Sequence, residues 1–311
     1  MTNEKLDELG GNALITVPFR FKGVNECDAI VTMPPGFFFT KEILDCVEYV
    51  LGIKAFDAFA IPAFSKRIVD GSETVLETLE IANKKHRVDK IINFQSVDVH
   101  KKGKSDRFSN QQEEDDFHIS GLMASKALIL KYYPEMEVVS IYVTLSEDHA
   151  LIRMYEIHDD GTREVIFRPK YRFKGICQCD TAVIRCIEFR NRKEDRSFVR
   201  FSLGFDSFGL IGFAGASRPF LKGSKSAWKA ISLACNHEGC KRIILMHHAD
   251  CGAYKKDHDF KGDLVAEEIM HRDEMRKMKE KILEKYPDVE VIMVYVRMIE
   301  DFTKLQYVIF E

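Results

Sequence analysis

Two short stretches of the chain carry side chains that can do chemistry together. One is Cys186-Ile187-Glu188-Phe189-Arg190 and the other is His248-Ala249-Asp250-Cys251-Gly252. Cys186, His248 and Cys251 supply two thiolates and an imidazole. That donor set suits Zn²⁺ and leaves a fourth position for water or substrate. The short His-x-x-Cys spacing lets both side chains meet one ion where a strand turns into a loop, and Gly252 can take the tight turn that follows. Glu188 and Arg190 add a carboxylate and a guanidinium beside the first thiolate.

The surrounding sequence supplies elements able to deliver these groups. Residues 181–189, 209–214, 242–248 and 289–296 are short apolar runs that read as buried strands, and 305–310 reads as a further edge strand. Residues 194–205 and 263–286 read as helices, as does a stretch through residue 236 that Ser224 or Ser226 can cap. The apolar stripe of the long helix includes Leu264, Ile269, Met275, Met278 and Ile282, and Pro287 ends it. Strands alternating with helices imply an α/β fold with a mostly parallel sheet flanked by helices. In such sheets, functional groups gather at the C-terminal ends of strands, where both motifs fall.

The chain reads as a tandem repeat. Arg20-Phe21-Lys22-Gly23 recurs 152 residues on as Arg172-Phe173-Lys174-Gly175. The same offset pairs Cys27-Asp28 with Cys179-Asp180, Leu51-Gly52 with Leu203-Gly204, and Lys90-Ile91-Ile92 with Arg242-Ile243-Ile244. Tyr133-Pro134 matches Tyr286-Pro287, and Glu147-Asp148 matches Glu300-Asp301, one residue further out. So long a period points to duplicated domains rather than a solenoid. The expected units are 1–165 and 166–311, joined around residues 159–171. The first unit lacks the metal-type groups. Cys186, Glu188 and Arg190 map to Pro34, Gly36 and Phe38, while His248, Cys251 and Gly252 map to Ser96, Val99 and His100.

Composition narrows the function further. The 311 residues carry 46 Lys+Arg against 49 Asp+Glu, a net charge of -3, which lacks the basic excess of a nucleic-acid or anionic-membrane binder. Hydrophobic residues make up 45%, enough to build real cores. No apolar run reaches the roughly 18 residues of a membrane span, and the polar N-terminus does not read as a signal peptide. A cytoplasmic location is expected. Six of the eight cysteines lie in the second half, so thiolate chemistry is expected there.

Other candidates weigh less. Cys177-x-Cys179 has no second pair at zinc-finger distance. Cys235, His237 and Cys240 flank a helix end at Gly239. His247 should face away from its neighbour His248 by strand alternation. Asp257 and His258 could relay protons but read more simply as solvated surface, as does the charged run 277–281.

The two motifs, taken in order, resemble those of the β-class carbonic anhydrases, which carry Cys-x-Asp-x-Arg after one strand and His-x-x-Cys-Gly after a later one. The family's intervening Ala-Gly element has a counterpart in Phe213-Ala214-Gly215-Ala216. One position departs from the family: Glu188 stands where it has Asp. The resemblance implies Zn²⁺ held by Cys186, His248 and Cys251. It also implies reversible hydration of carbon dioxide to bicarbonate, with Glu188 and Arg190 as the dyad that orients the attacking water. It implies an intramolecular pseudo-dimer of the two units, with homo-oligomers of that pseudo-dimer possible. Two other readings stay open at this point: a carbonyl sulfide or carbon disulfide hydrolase on the same fold, and a zinc-binding scaffold in which the longer Glu188 closes the metal.

Overall fold

The computed structural model describes residues 6, 9–23, 26–35, 39–98, 107–146, 148–171, 179–206 and 208–311. In chain order its elements begin with β1 (Asn12–Pro18), β2 (Ala29–Met33), α1 (Thr40–Asp45), β3 (Phe56–Ala60), α2 (Phe64–Val69), α3 (Glu73–His86), β4 (Lys90–Ser96) and α4 (Gln111–Tyr132). Then come β5 (Glu137–Leu145), β6 (Ile152–Ile157), β7 (Arg163–Phe167), β8 (Thr181–Arg185), α5 (Arg192–Ser197), β9 (Gly209–Gly212), α6 (Arg218–Leu221) and α7 (Lys225–Asn236). Last are β10 (Arg242–His248), α8 (Leu264–Lys285), β11 (Glu290–Ile299) and β12 (Lys304–Phe310).

These strands form two six-stranded sheets, ordered β3-β2-β4-β5-β6-β7 and β9-β8-β10-β11-β12-β1. In each, the first four strands run parallel and the last two pairings are antiparallel. The sheets are therefore mixed, with parallel pairings in the majority, as the sequence led us to expect. Strands β2, β3, β8 and β9 are buried along their whole length, as apolar strands covered on both faces must be.

One outer strand comes from the other end of the chain. β1 pairs antiparallel with β12 in the sheet of the second half, and β7 pairs antiparallel with β6 in the sheet of the first. β12 is consequently an interior strand and not the edge strand expected for 305–310. β7 also runs across the expected 165/166 division. A strand with a free flank leaves a row of unpaired N–H and C=O groups; here β1, from the start of the chain, covers the flank of β12, and β7 covers that of β6.

Local signals explain several boundaries. Ser224 accepts the Ala227 N–H at 3.3 Å, and Asp263 accepts from Val265 and Ala266 at 3.0 and 3.1 Å, so each caps a helix. The helix expected over 194–205 is instead α5 followed by a π-helical turn, Phe198–Ser202, with a matching π-helical turn at Cys46–Val50. Gly52 and Gly204 leave these turns at φ +71° and +76°, a conformation that favours glycine. Along α8, Met275, Met278 and Ile282 are fully buried, but Ile269 faces out at 45% exposure and is not part of the stripe.

The halves meet along β3 and β9. Ala58 N–H donates to Ile187 O at 2.9 Å, and a Cβ on Gly212 would sit 2.4 Å from Ala58 O, so only glycine fits there. Phe59 packs edge-on against Phe213, with centroids 5.7 Å apart. Thr74 at the start of α3 donates to Ser224 at 2.7 Å. Arg192 donates to Glu48 at 2.6 Å and stacks on Phe56.

Candidate metal centre

The strand order β9-β8-β10 places a topological switch beside β8, since the chain leaves β8 to one side and later returns on the other. β8 and β10 run parallel, with Arg185 opposite Met246. Cys186, just beyond the end of β8, and His248, the last residue of β10, are thereby brought side by side.

The turn after β8 is fixed from below. Arg185 donates through Nε and Nη2 to Asp195 Oδ2 at 3.0 and 2.8 Å, and through Nη2 to Glu188 O at 2.8 Å. Tyr307 on β12 donates to the other Asp195 oxygen at 2.9 Å and stacks on Phe198 at 4.2 Å. Past β10, Ala249 N–H donates to Val296 O at 2.9 Å. Asp250 then takes a left-handed φ of +62°, which turns the chain so that Cys251 faces back toward Cys186.

Cys186, His248 and Cys251 meet there. All three are buried, and their donor atoms lie within 4.8 Å of one another. The two sulfurs are 3.9 Å apart. His248 Nδ1 is 2.8 Å from Ala249 O, a contact that makes Nδ1 the protonated nitrogen and leaves a lone pair on Nε2, which has no hydrogen-bond partner. A buried imidazole nitrogen without a partner next to two thiols is what a metal ligand set requires. The paired thiols shift in opposite senses. The Cys251 thiol, bonding to Cys186, brings Cys186 well below the usual thiol range against the effect of burial, while Cys251 itself is raised. Gly215 N–H, in the Phe213–Ala216 turn, donates to Cys186 Sγ at 3.3 Å. Cys251 N–H donates to Glu267 Oε1 at 3.3 Å. The donor set and its support fit zinc.

Glu188 is not part of this trio. Arg190 donates through Nε to Oε1 and through Nη2 to Oε2, each at 2.8 Å, and its backbone N–H adds a third bond to Oε1 at 3.0 Å. The same guanidinium reaches Asp250 Oδ2 at 2.6 Å, so Arg190 ties the two motifs together. Asp250 is in turn paired with Lys255. Burial alone would raise the Glu188 carboxyl, yet the charge and hydrogen bonds of Arg190 hold it well below the ordinary carboxylate range. Beside Asp250 and Glu267 a cavity of about 560 Å³ is lined by Lys255, Phe260, Met298 and Phe302.

Part of the second half is similar to a known family. A family model described as "Putative carbonic anhydrase" matches residues 177–306. Over those residues the chain is carbonic-anhydrase-like. An uncharacterized protein of Rickettsia bellii (strain RML369-C) is 28% identical over 137 residues, which is 39% of this chain and 79% of that protein. The matched span holds all five residues singled out in the motifs and stops short of the whole chain.

In the carbonic-anhydrase-like span, the lesser candidates fall as follows. His247 is buried and bonds Ser217 Oγ at 2.8 Å and His271 Nδ1 at 2.9 Å on the far face; burial pushes it down to about 3. Asp257 is tied to Arg218 at 2.6 Å, and the exposed His258 stacks on Phe260. Cys240 donates to Arg242 O at 2.9 Å. Cys177 lies outside the described residues, as do Gly36, Phe38, Val99 and His100. Pro34 and Ser96 are described, and neither is a thiol or imidazole. Among the described residues no helix is long and apolar enough to cross a membrane.

Sequence reasoning missed three residues near Glu188. His86 at the end of α3 lies with Nε2 3.8 Å from Glu188 Oε2, and its Nδ1 is 2.6 Å from Asp57 on β3. Cys27 adjoins that pair. No motif marks them, although a charged Asp57 inside Phe56-Asp57-Ala58-Phe59-Ala60 was a signal that something must neutralise it.

Proposed function

We propose that the second half catalyses the zinc-dependent, reversible hydration of carbon dioxide to bicarbonate, as a β-class carbonic anhydrase does. The observation that carries this reading is the separation of roles at the site: Cys186, His248 and Cys251 converge, while both Glu188 oxygens are occupied by Arg190. That supports a metal with three protein ligands and an open fourth position, despite the longer glutamate arm.

Cys186, His248 and Cys251 would hold the zinc, which supplies the Lewis acidity that makes water a nucleophile near neutral pH. Arg190 keeps Glu188 ionised and aimed. Glu188 accepts a hydrogen bond from the attacking water and so orients its remaining lone pairs toward the substrate carbon. Asp250 and Lys255 hold the far side of Arg190. Carbon dioxide is uncharged and asks only for a small apolar recess, for which the buried rings of Phe189 and Phe213 are candidates. We read the two halves, 1–165 and 166–311, as duplicated units packed as a pseudo-dimer in one chain, of which only the second binds metal. The shared strand order and the like placing of β1 and β7, each at the end of a sheet, support this. Carbon dioxide and bicarbonate are the small-molecule partners, with no nucleic acid or membrane, and a cytoplasmic setting fits the thiolate ligands.

The test is stopped-flow carbon dioxide hydration by zinc-loaded protein, run beside carbonyl sulfide hydrolysis. Turnover of carbon dioxide supports the reading. Turnover of carbonyl sulfide alone moves the assignment to a hydrolase, and loaded zinc with neither activity leaves a scaffold.

A further inference from the structure

The half without the metal-type motifs reaches the site through α3. His86, its last residue, is 4% exposed and lies between two carboxylates, Asp57 on Nδ1 at 2.6 Å and Glu188 near Nε2 at 3.8 Å. Its ring stands edge-on to Phe189, the residue between Glu188 and Arg190, with centroids 5.6 Å apart. Asp57 is fully buried, and its Oδ1 has no hydrogen-bond partner. Burying such a pair in a core costs stability and is often worse than an apolar replacement. The second half does without it: 152 residues on, Asp57 and His86 become Gly209 and Glu238. The fold therefore does not require the pair, and in the half that has it, it faces Glu188.

Cys27, Asp57 and His86 also bring their donor atoms within 4.8 Å of one another, as a second metal site would. The distances favour a different state. Two ligands bonded to one ion at about 2.0 Å with near-tetrahedral angles stand roughly 3.3 Å apart, whereas His86 and Asp57 are 2.6 Å apart, a direct hydrogen bond. Burial also pushes the Cys27 thiol far up, and it donates to Ala29 O at 3.5 Å.

We propose that His86, held by Asp57, is a positioning residue supplied by the first half to fix the catalytic carboxylate Glu188 of the second. This rests on the reading of Glu188 given above. Arg190 grips the carboxylate edge-on, and His86 stands on the Oε2 side, so the longer glutamate arm is flanked by two cations and kept from swinging onto the metal. Burial by itself would lower the imidazole, but Asp57 and then Glu188 hold it at about 9, so it is charged at neutral pH. Asp57 sets the ring orientation and carries no substrate contact.

The test uses the full, zinc-loaded chain with His86→Gln, Asp57→Asn, Glu188→Ala and the His86→Gln/Glu188→Ala double variant. We expect His86→Gln to keep one equivalent of zinc and lose about 10- to 100-fold in kcat, with KM for carbon dioxide nearly unchanged. In the Glu188→Ala background the same substitution should cost little more, because the group it positions is gone. Full additivity, or unchanged kcat in His86→Gln, overturns the proposal. So does a second equivalent of zinc that Asp57→Asn removes, which would make the cluster a metal site. A second arm needs neither activity nor a fragile variant at His86. The ring ¹⁵N shifts of His86 should move when Glu188 becomes Ala, and unmoved shifts overturn the contact. Shifts that move in a protein without hydratase activity uphold the positioning and count only against the proposed reaction.

Discussion

Arg190 holds both oxygens of Glu188 at 2.8 Å while reaching Asp250 at 2.6 Å, so one guanidinium fixes the carboxylate of the first motif to the backbone turn of the second. This arrangement sets the pH behaviour. Glu188 is depressed well below the usual carboxylate range, so it stays ionised through neutral and mildly acid pH. Activity should therefore rise with pH because the attacking water must lose a proton, with no separate acid limb from Glu188. In Arg190→Ala the largest cause of the depression is lost and the charge of His86 remains, so burial should move Glu188 upward. That variant should lose at least about a hundredfold in kcat and gain an acid limb that the wild type lacks, with zinc retained. Glu188→Ala should fall similarly without the new limb. Rate profiles of the three proteins over a pH series decide this; identical profile shapes for wild type and Arg190→Ala would refute it.

The three converging donors predict one zinc per chain. Cys251→Ser replaces a thiolate with a weak ligand in a buried site that the backbone still holds in place, so most of the zinc should be lost while the fold persists. Elemental analysis beside circular dichroism reads both quantities. Full zinc retention in Cys251→Ser would remove Cys251 from the ligand set. Ser96→Ala in the first half should leave the metal content unchanged.

Glu238 carries a prediction about stability away from the site. Burial raises its carboxyl from 4.5 to about 7. A group that gives up its proton more readily when unfolded favours unfolding as pH climbs. Stability should thus fall between about pH 4.5 and 7 on this account, and the penalty is fully present above that window. Glu238→Gln should change Tm little at pH 5 and raise it at pH 8. A Tm difference independent of pH would show that the carboxyl is not the cause.

How far the sequence led can be argued from particular residues. The strand ends carrying Cys186 and His248, the cap at Ser224, and the long helix ended before Pro287 were all legible, because each depends on neighbours a few residues away. The placing of β1 beside β12 and of β7 beside β6 was not. A strand of five or seven residues carries no local record of which sheet it joins; that choice depends on which closing strand has a free flank in three dimensions. His86 and Asp57 were hidden for the same reason. They sit 29 residues apart in one half and meet their target, Glu188, in the other. The expectation that the first half holds no metal ligands gave no reason to search it for groups that act through a neighbour.

The isolated second half should not behave as an independent domain. A fragment of residues 166–311 lacks β1, which leaves the β12 flank unpaired, and lacks β3, which leaves Gly212 and Phe213 uncovered. Exposed strand edges and apolar surface drive association. Size-exclusion chromatography should find self-associated or aggregated material, and co-expression with residues 1–165 should restore a soluble complex. A soluble monomer with full zinc and full activity would contradict the packing described.

The N-terminal segment offers a finer probe of the pairing of β1 with β12. Arg272 donates to Leu9 O and Gly10 O at 2.5 and 2.6 Å, and Arg297 donates to Leu6 O at 2.6 Å. Both arginines also pair with Glu268, which is fully buried. Removing residues 1–18 would strip these carbonyl acceptors from two buried guanidiniums as well as the β1 ladder. Point changes separate packing from backbone strain. Gly10 and Gly11 both have positive φ, +68° and +105°, so alanine at either costs about 1 kcal/mol for conformation. A Cβ on Gly10 meets nothing within 4 Å, whereas on Gly11 it would lie 2.6 Å from Val308 and 2.7 Å from Phe310 of β12. Gly11→Ala should therefore be the more destabilising by a further 1–3 kcal/mol or so, read as the difference in urea midpoints at equal m-value. Equal midpoints for the two variants would mean that the segment before β1 does not lie against β12 in solution, and the pairing of β1 with β12 would lose its best local support.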